Sequence, residues 1–169
     1  FSHRRIDGGA RALIKSLALL KPEDSPSNWF QPARIIEMGC GCGAVSMAAA
    51  IEYPNAKILA VDSDARAIES TQASAKLNEI TTVETLLTSD GVIPEPRSWD
   101  LLLGNPPYYS DYRIAELFLQ AAKLSLKTGG RIHLVTKLND WHDARMKQLF
   151  NNVEAHTIGE YTVFTARQR

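Results

Sequence analysis

The sequence has no excess of charge of either sign. Nineteen lysines and arginines balance nineteen aspartates and glutamates in 169 residues. That balance excludes the strongly basic field of a protein that grips nucleic acid by charge alone, so any such contact must be local or assisted. Cysteine is scarce as well: only Cys40 and Cys42 are present. They stand two apart inside a glycine-rich turn, where a disulfide would oppose the backbone path, and are expected to be small apolar fillers of a protein kept in a reducing compartment. Neither that spacing nor the four scattered histidines, His3, His133, His142 and His156, forms a zinc ligand set, so no metal is expected. No apolar run reaches the length of a membrane span and no signal peptide opens the chain, which predicts a cytoplasmic protein. Internal repeats and low-complexity tracts are also lacking. A hydrophobic content of 44% over this length suits one well-buried domain and is too little chain for two of ordinary size.

What is present is organised around residues 35–44, IIEMGCGCGA, a short apolar strand running into a glycine-rich turn and then an alanine-rich helix. Glycines at alternate positions let the backbone approach a ligand where a Cβ would clash, and the helix that follows presents N–H groups toward it. Such a turn holds a nucleotide-like cofactor. Two patterns fit: the dinucleotide fingerprint with alanine in last place (Gly39, Gly41, Ala44) and the tighter triplet (Gly39, Gly41, Gly43) of S-adenosylmethionine sites. Glu37, two residues before the first glycine, favours the triplet, because a carboxylate attracts a sulfonium or ammonium and repels a pyrophosphate.

The remaining chain alternates between the two periodicities. A polar, glycine-ended segment at 1–9 precedes a helix expected over 10–20, with Leu13, Ile14, Leu17 and Leu20 on its buried face. A Pro- and Ser-rich surface connection at 21–32 leads to a strand at 34–38, a helix at 44–51, a strand at 57–61 finishing at Asp62, and a helix from Asp64 to about Asn78. Strands at 83–88 and 100–104 follow, then an amphipathic helix at 113–126, closed in the C-cap manner by Thr128-Gly129-Gly130. A strand at 131–136, a helix at 141–150 and a terminal hairpin of 153–158 and 161–166 around Gly159-Glu160 complete the order. The class is α/β: a doubly wound, Rossmann-like, mostly parallel sheet with a C-terminal antiparallel hairpin, whose ligand crevice lies at the carboxyl ends of the strands.

The chemistry-bearing residues fall at those ends. Asp62, about twenty residues beyond the glycine turn, is placed to accept hydrogen bonds from ribose hydroxyls, with Asp64 as the cap of the next helix. Asp90 in the Asp90-Gly91 loop could accept from an adenine amino group, and an ordinary Asp-Gly turn is the alternative. In Asn105-Pro106-Pro107-Tyr108 the two prolines fix the backbone and leave carbonyls to accept, so Asn105 Oδ1 and the Pro106 carbonyl can bind one planar –NH₂ group. Tyr108 can stack on the ring that carries the amine. His133, on a strand, is read as a packing residue. Arg4, Arg5, Arg11 and Lys15 either meet phosphates or form a solvated face. Trp29, Trp99 and Trp141 are read as packing residues at element edges.

Together, the opening Phe1, Ser2, Ile6, Asp7 and Gly9, the EMGCGCG turn, Asp62, NPPY, the LKTGG element at 126–130 and the terminal hairpin resemble a class I S-adenosylmethionine-dependent methyltransferase of the methyltransferase small domain group. Within it the chain looks like the ribosomal RNA guanine-N2 methyltransferases, although those families more often carry phenylalanine in the fourth place of NPPY. The resemblance implies S-adenosylmethionine as cofactor, held by Glu37, Gly39, Cys40, Gly41, Gly43, Asp62, Ser63, Asp90, Gly91 and Asn105. It also implies catalysis by Asn105, Pro106, Pro107 and Tyr108, and a substrate surface made by Phe1, Asp7, Tyr108 and Tyr109. The expected reaction is methylation of an exocyclic amine of a base in RNA, guanine N2 of ribosomal RNA foremost, with the ribosomal subunit as partner. Adenine-N6 and protein glutamine-N5 methylation are the alternatives, and a nicotinamide-dependent oxidoreductase or a non-catalytic RNA-binding module the remote ones. The single domain at 1–169 is expected to be the C-terminal catalytic part of a longer chain, preceded by an RNA-holding domain.

Overall fold

Alternate residues of β1 (Arg34–Met38) point to opposite faces of a sheet and enter two separate cores, which is how a strand buried on both sides must be written. Ile36 and Met38 join Leu59, Leu102, Phe118 and Leu134 on one face. Ile35 joins Leu13, Val45, Ala49, Leu101 and Val135 on the other. The structure is a computed structural model that describes residues 6–20, 30–107 and 111–169. The sheet has seven strands in the order β3-β2-β1-β4-β5-β7-β6. β2 (Lys57–Asp62), β3 (Val83–Leu87), β4 (Trp99–Gly104) and β5 (Leu126–Thr136) run parallel to β1, whereas β7 (Tyr161–Arg167) is antiparallel to both β5 and β6 (Asn151–Ile158). The order reverses between β1 and β4, and at such a switch point the loops leave in opposite directions and open a crevice above the carboxyl ends.

Among the described residues there are five α-helices, α1 (Gly8–Ser16) ahead of β1 and α2 (Ala44–Glu52), α3 (Ala65–Leu77), α4 (Arg113–Ser125) and α5 (Asn139–Leu149) between strands. Among the described residues no helix is long and apolar enough to cross a membrane. α1 begins two residues earlier than its apolar spacing indicates, because Asp7 caps it by accepting the N–H of Ala10 at 2.8 Å, and it gives way to a 3-10 turn at Leu17–Leu20. α5 likewise starts at Asn139, ahead of the expected Trp141.

The expected C-cap after α4 is not one. Leu126 leaves the helix in extended conformation with its side chain fully buried, and the LKTGG element is an irregular start of β5. There Gly129 and Gly130 exchange backbone hydrogen bonds with Gln168 at 3.0 and 2.8 Å. A Cβ on Gly130 would come within 2.9 Å of the Lys127 carbonyl and 3.1 Å of that of Trp99. The glycine pair serves close strand approach after a register shift between Trp99 and Leu101.

Candidate active site

The glycine turn leaves β1 and leans on β2: the N–H groups of Gly39 and Cys40 both donate to the Val61 carbonyl, at 2.8 and 3.0 Å. Gly39, Gly41 and Gly43 hold φ of +75°, +54° and +79°, the left-handed region that glycine enters without penalty. Asp62 ties the turn to the next strand, its Oδ2 accepting the Gly41 N–H at 2.9 Å and its Oδ1 that of Asp64 at 3.0 Å. Asp64 in turn caps α3, as expected, accepting the Arg66 N–H at 2.9 Å. These ties leave a cavity of about 910 Å³ over the carboxyl ends of β1, β2 and β4, at the upper end of the ~300–1,000 Å³ typical of small-molecule sites. Glu37, Gly39, Cys40, Gly41, Asp62 and Ser63 line it, and so do Gly91, Asn105, Pro106, Pro107 and Asp7.

Two expected cofactor residues do not line this cavity. Gly43 sits at the head of α2 against α3, where a Cβ would lie 2.9 Å from the Thr71 side chain, so its glycine is required by packing. The exposed Asp90 turns back on its own loop, accepting from the Thr88 hydroxyl at 2.6 Å and the Val92 N–H at 2.9 Å. These bonds hold its carboxyl below the usual range. Both bonds are those of an Asp-Gly turn, while Thr88, Ser89 and Gly91 face the cavity.

Glu37 lines the cavity in a different state from the one its charge suggests. It is 3% exposed, and burial pushes its carboxyl from 4.5 up to about 8, so near neutral pH it keeps its proton; the Ser46 hydroxyl, which donates to Oε2, opposes that shift only in part. Cys40 is buried beside it, with its thiol pushed up to about 12 by desolvation and the nearby Glu37, and is inert filler in this state. Thr71 reaches toward both the Cys40 sulfur at 3.4 Å and the Gly41 carbonyl at 3.3 Å, bracing the turn from α3.

Asn105 stands at the end of β4 with its Nδ2 donating to Asp7 Oδ1 at 3.1 Å. Phe1, Tyr108 and Tyr109, with Arg4, Arg5 and Trp29, lie outside the described residues. His133 is a core residue: it is 1% exposed, its Nδ1 lies 3.0 Å from the Ser16 hydroxyl, and burial pushes it down to about 3. Trp99 is fully buried, with its Nε1 donating to the Pro94 carbonyl, and Trp141 stacks on Tyr112 at 4.6 Å. Among the described residues no group of three or more His, Cys, Asp or Glu is placed to hold a metal ion.

Sequence reasoning missed one wall of the cavity. Ile114, Leu117 and Phe118 of α4 line it, as do Arg113 and Tyr161. Their i, i+3, i+4 spacing was readable, but such a face is usually core, and only the sheet order shows that its N-terminal turn overhangs the crevice.

A seven-stranded sheet reversing at β1/β4, with a left-handed glycine turn after its first strand and an acid anchoring that turn from the second, defines the class I methyltransferase fold. The same fold is seen at a TM-score of 0.81 in a T. thermophilus 16S rRNA N2 methyltransferase in complex with AdoMet and guanosine, at 22% identity over 100% of this chain and 45% of that one. The chain belongs to the methyltransferase small domain family, which it matches over residues 1–165. Its relatives include the ribosomal RNA small subunit methyltransferase C of Pseudomonas syringae pv. syringae, 31% identical over 139 residues that make up 80% of this chain and 38% of that protein. The ribosomal RNA large subunit methyltransferase G of Shewanella amazonensis is 30% identical over 174 residues, 98% of this chain and 43% of that protein. The chain therefore spans about two-fifths of the length of these curated relatives. Family membership sets aside the dinucleotide reading of Gly39, Gly41 and Ala44.

Proposed function

We propose that this domain transfers a methyl group from S-adenosylmethionine to an exocyclic amine of a base in ribosomal RNA, guanine N2 foremost. The observation that carries the reading is the junction of two features at one cavity: a left-handed glycine turn braced by Asp62, and the amide of Asn105 at the end of β4. The left-handed glycines and the Asp62 carboxylate fit an adenosyl group, and the cavity volume fits it together with a base edge. When bound, the cofactor supplies an electrophilic methyl on a cationic sulfur. The chain's own residues do the rest by placement: Asn105 Oδ1 and the Pro106 carbonyl accept from the target –NH₂ and hold its lone pair in line, a proximity effect with no covalent step on the protein. No protein base is needed, since the amine loses its proton after transfer. The target base must leave its stack to reach the cavity, with Tyr108 as its stacking partner.

A ribosomal substrate is supported by relatives that are named as methyltransferases of both ribosomal subunits, and a cytoplasmic site of action is proposed with it. A net charge of zero supplies little counterion release, so a preceding RNA-holding domain or the ribosomal particle itself is the proposed source of affinity. Deleting the gene and mapping modified nucleotides in ribosomal RNA tests the reading. Loss of a single N2-methylguanosine is expected; loss of an N6-methyladenosine, or of a methylated glutamine in a protein, overturns the choice of substrate. Asn105→Ala should leave S-adenosylhomocysteine affinity intact by calorimetry while methyl transfer falls by about two orders of magnitude or more.

A further inference from the structure

Asp7 makes two bonds of different kinds. Its Oδ1 accepts the Ala10 N–H at 2.8 Å, an ordinary helix cap, and also accepts from Asn105 Nδ2 at 3.1 Å, with Oδ2 a further 3.4 Å contact. The two side chains are 98 residues apart, so no local preference brings them together. They meet because the first turn of α1 lies over the carboxyl end of β4.

That turn is shaped for the meeting. A Cβ on Gly9 would come within 2.5 Å of Asn105 Oδ1 and 2.9 Å of its Cγ and Nδ2. Gly9 does not have positive φ, so the demand for glycine there is one of space and not of backbone conformation. A Cβ on Gly8 would likewise strike the Tyr161 ring at 2.6 Å, and over that ring lies Lys137, paired with Glu160. Two adjacent glycines thus let the helix start wedge between the end of β4 and the start of β7.

The consequence falls on the Asn105 amide. A carboxylate that takes the Nδ2 hydrogen bond fixes which end of the amide is nitrogen, because the reversed amide would set its oxygen against the Asp7 oxygens. It also polarises the amide, drawing negative charge toward Oδ1 and strengthening it as an acceptor. We propose that Asp7 and Gly9 are positioning residues for Asn105. Asp7 sets the orientation of the amide and sharpens its oxygen for the target amine, and Gly9 keeps clear the volume that this orientation needs. The inference rests on the reading of Asn105 given above, and it assigns Asp7 a role exerted through that side chain rather than through direct contact with the base.

Three variants of the full chain separate positioning from folding. Asp7→Ser keeps a capping oxygen but is too short for Asn105, Asp7→Asn keeps both bonds without the charge, and Gly9→Ala improves helix propensity while displacing the amide. Each is assayed for kcat and KM on ribosomal RNA from a strain deleted for the gene, for S-adenosylhomocysteine affinity by calorimetry, and for melting temperature. Asp7→Ser and Gly9→Ala should lower kcat about ten- to a hundredfold with KM and cofactor affinity within about twofold, and Gly9→Ala should melt no lower than the parent. Asp7→Asn should restore most of the lost kcat. If Asp7→Ser and Gly9→Ala both turn over at the parental rate while Asn105→Ala is inactive, the positioning role is overturned and the active site stands. A fully active Asn105→Ala overturns the active site itself, and a loss of kcat that tracks melting temperature across the series makes both residues structural.

Discussion

Thr71 fills the space into which a side chain at Gly43 would project: a Cβ there would lie 2.9 Å from its Oγ1 and Cγ2 and 3.1 Å from its Cα. The third glycine of the turn is thus an interhelix contact between the head of α2 and the middle of α3. Gly43→Ala adds a left-handed backbone penalty of about 1–2 kcal/mol to that clash. A total loss of about 2–4 kcal/mol is expected, read as a lowered denaturant midpoint with unchanged slope. Thr71→Ser in the same chain should recover part of it by removing Cγ2.

Asp62 should govern cofactor affinity through both of its oxygens, since each already organises a backbone N–H of the cavity wall. Asp62→Ala is expected to weaken S-adenosylhomocysteine binding by about 1–3 kcal/mol in a calorimetric titration. Unchanged affinity would reduce the residue to a brace of the loop.

Two buried groups set opposing pH dependences of stability. Burial raises Glu37 from 4.5 to about 8 and lowers His133 from 6.5 to about 3. At Glu37 the folded state binds more protons than the unfolded between those values, so stability falls as pH rises from 4.5 to about 8. At His133 it binds fewer, so stability falls as pH drops from 6.5 to about 3. Denaturant titrations across the range should show a flat maximum between pH 4.5 and 6.5, where the two slopes oppose. Glu37→Gln should flatten the alkaline limb. His133→Leu should lessen the acid limb, with Ser16 still donating to the Leu13 carbonyl at 2.6 Å.

Cofactor binding should release a proton. A sulfonium or ammonium brought into the cavity favours the ionised form of Glu37 and lowers a carboxyl that burial has raised to about 8. The affinity for S-adenosylhomocysteine should therefore rise with pH up to about 8. Titrations in buffers of different ionisation enthalpy measure the released proton directly, and in Glu37→Gln both effects should vanish.

The sequence by itself determined the order of the elements and the identity of the turn. Strand 34–38 with its glycine triplet, the acid closing β2, the Asp64 cap, and Asn105 with two prolines after β4 all rest on spacing within a few residues, where periodicity and backbone chemistry act directly. Asp62 stands at the end of β2 and His133 in the core, the places that their strand positions indicate. Tertiary structure alone decided the rest, because it turned on what lies across space. Desolvation converted the expected charge of Glu37 into a protonated acid. The Thr88 hydroxyl and the Val92 N–H drew Asp90 away from the cavity, α3 claimed Gly43, and the end of β7 turned an apparent helix cap at Gly129-Gly130 into strand pairing. The start of α1 over β4 gave Asp7 its second partner, a relation that no spacing along 98 residues of chain encodes.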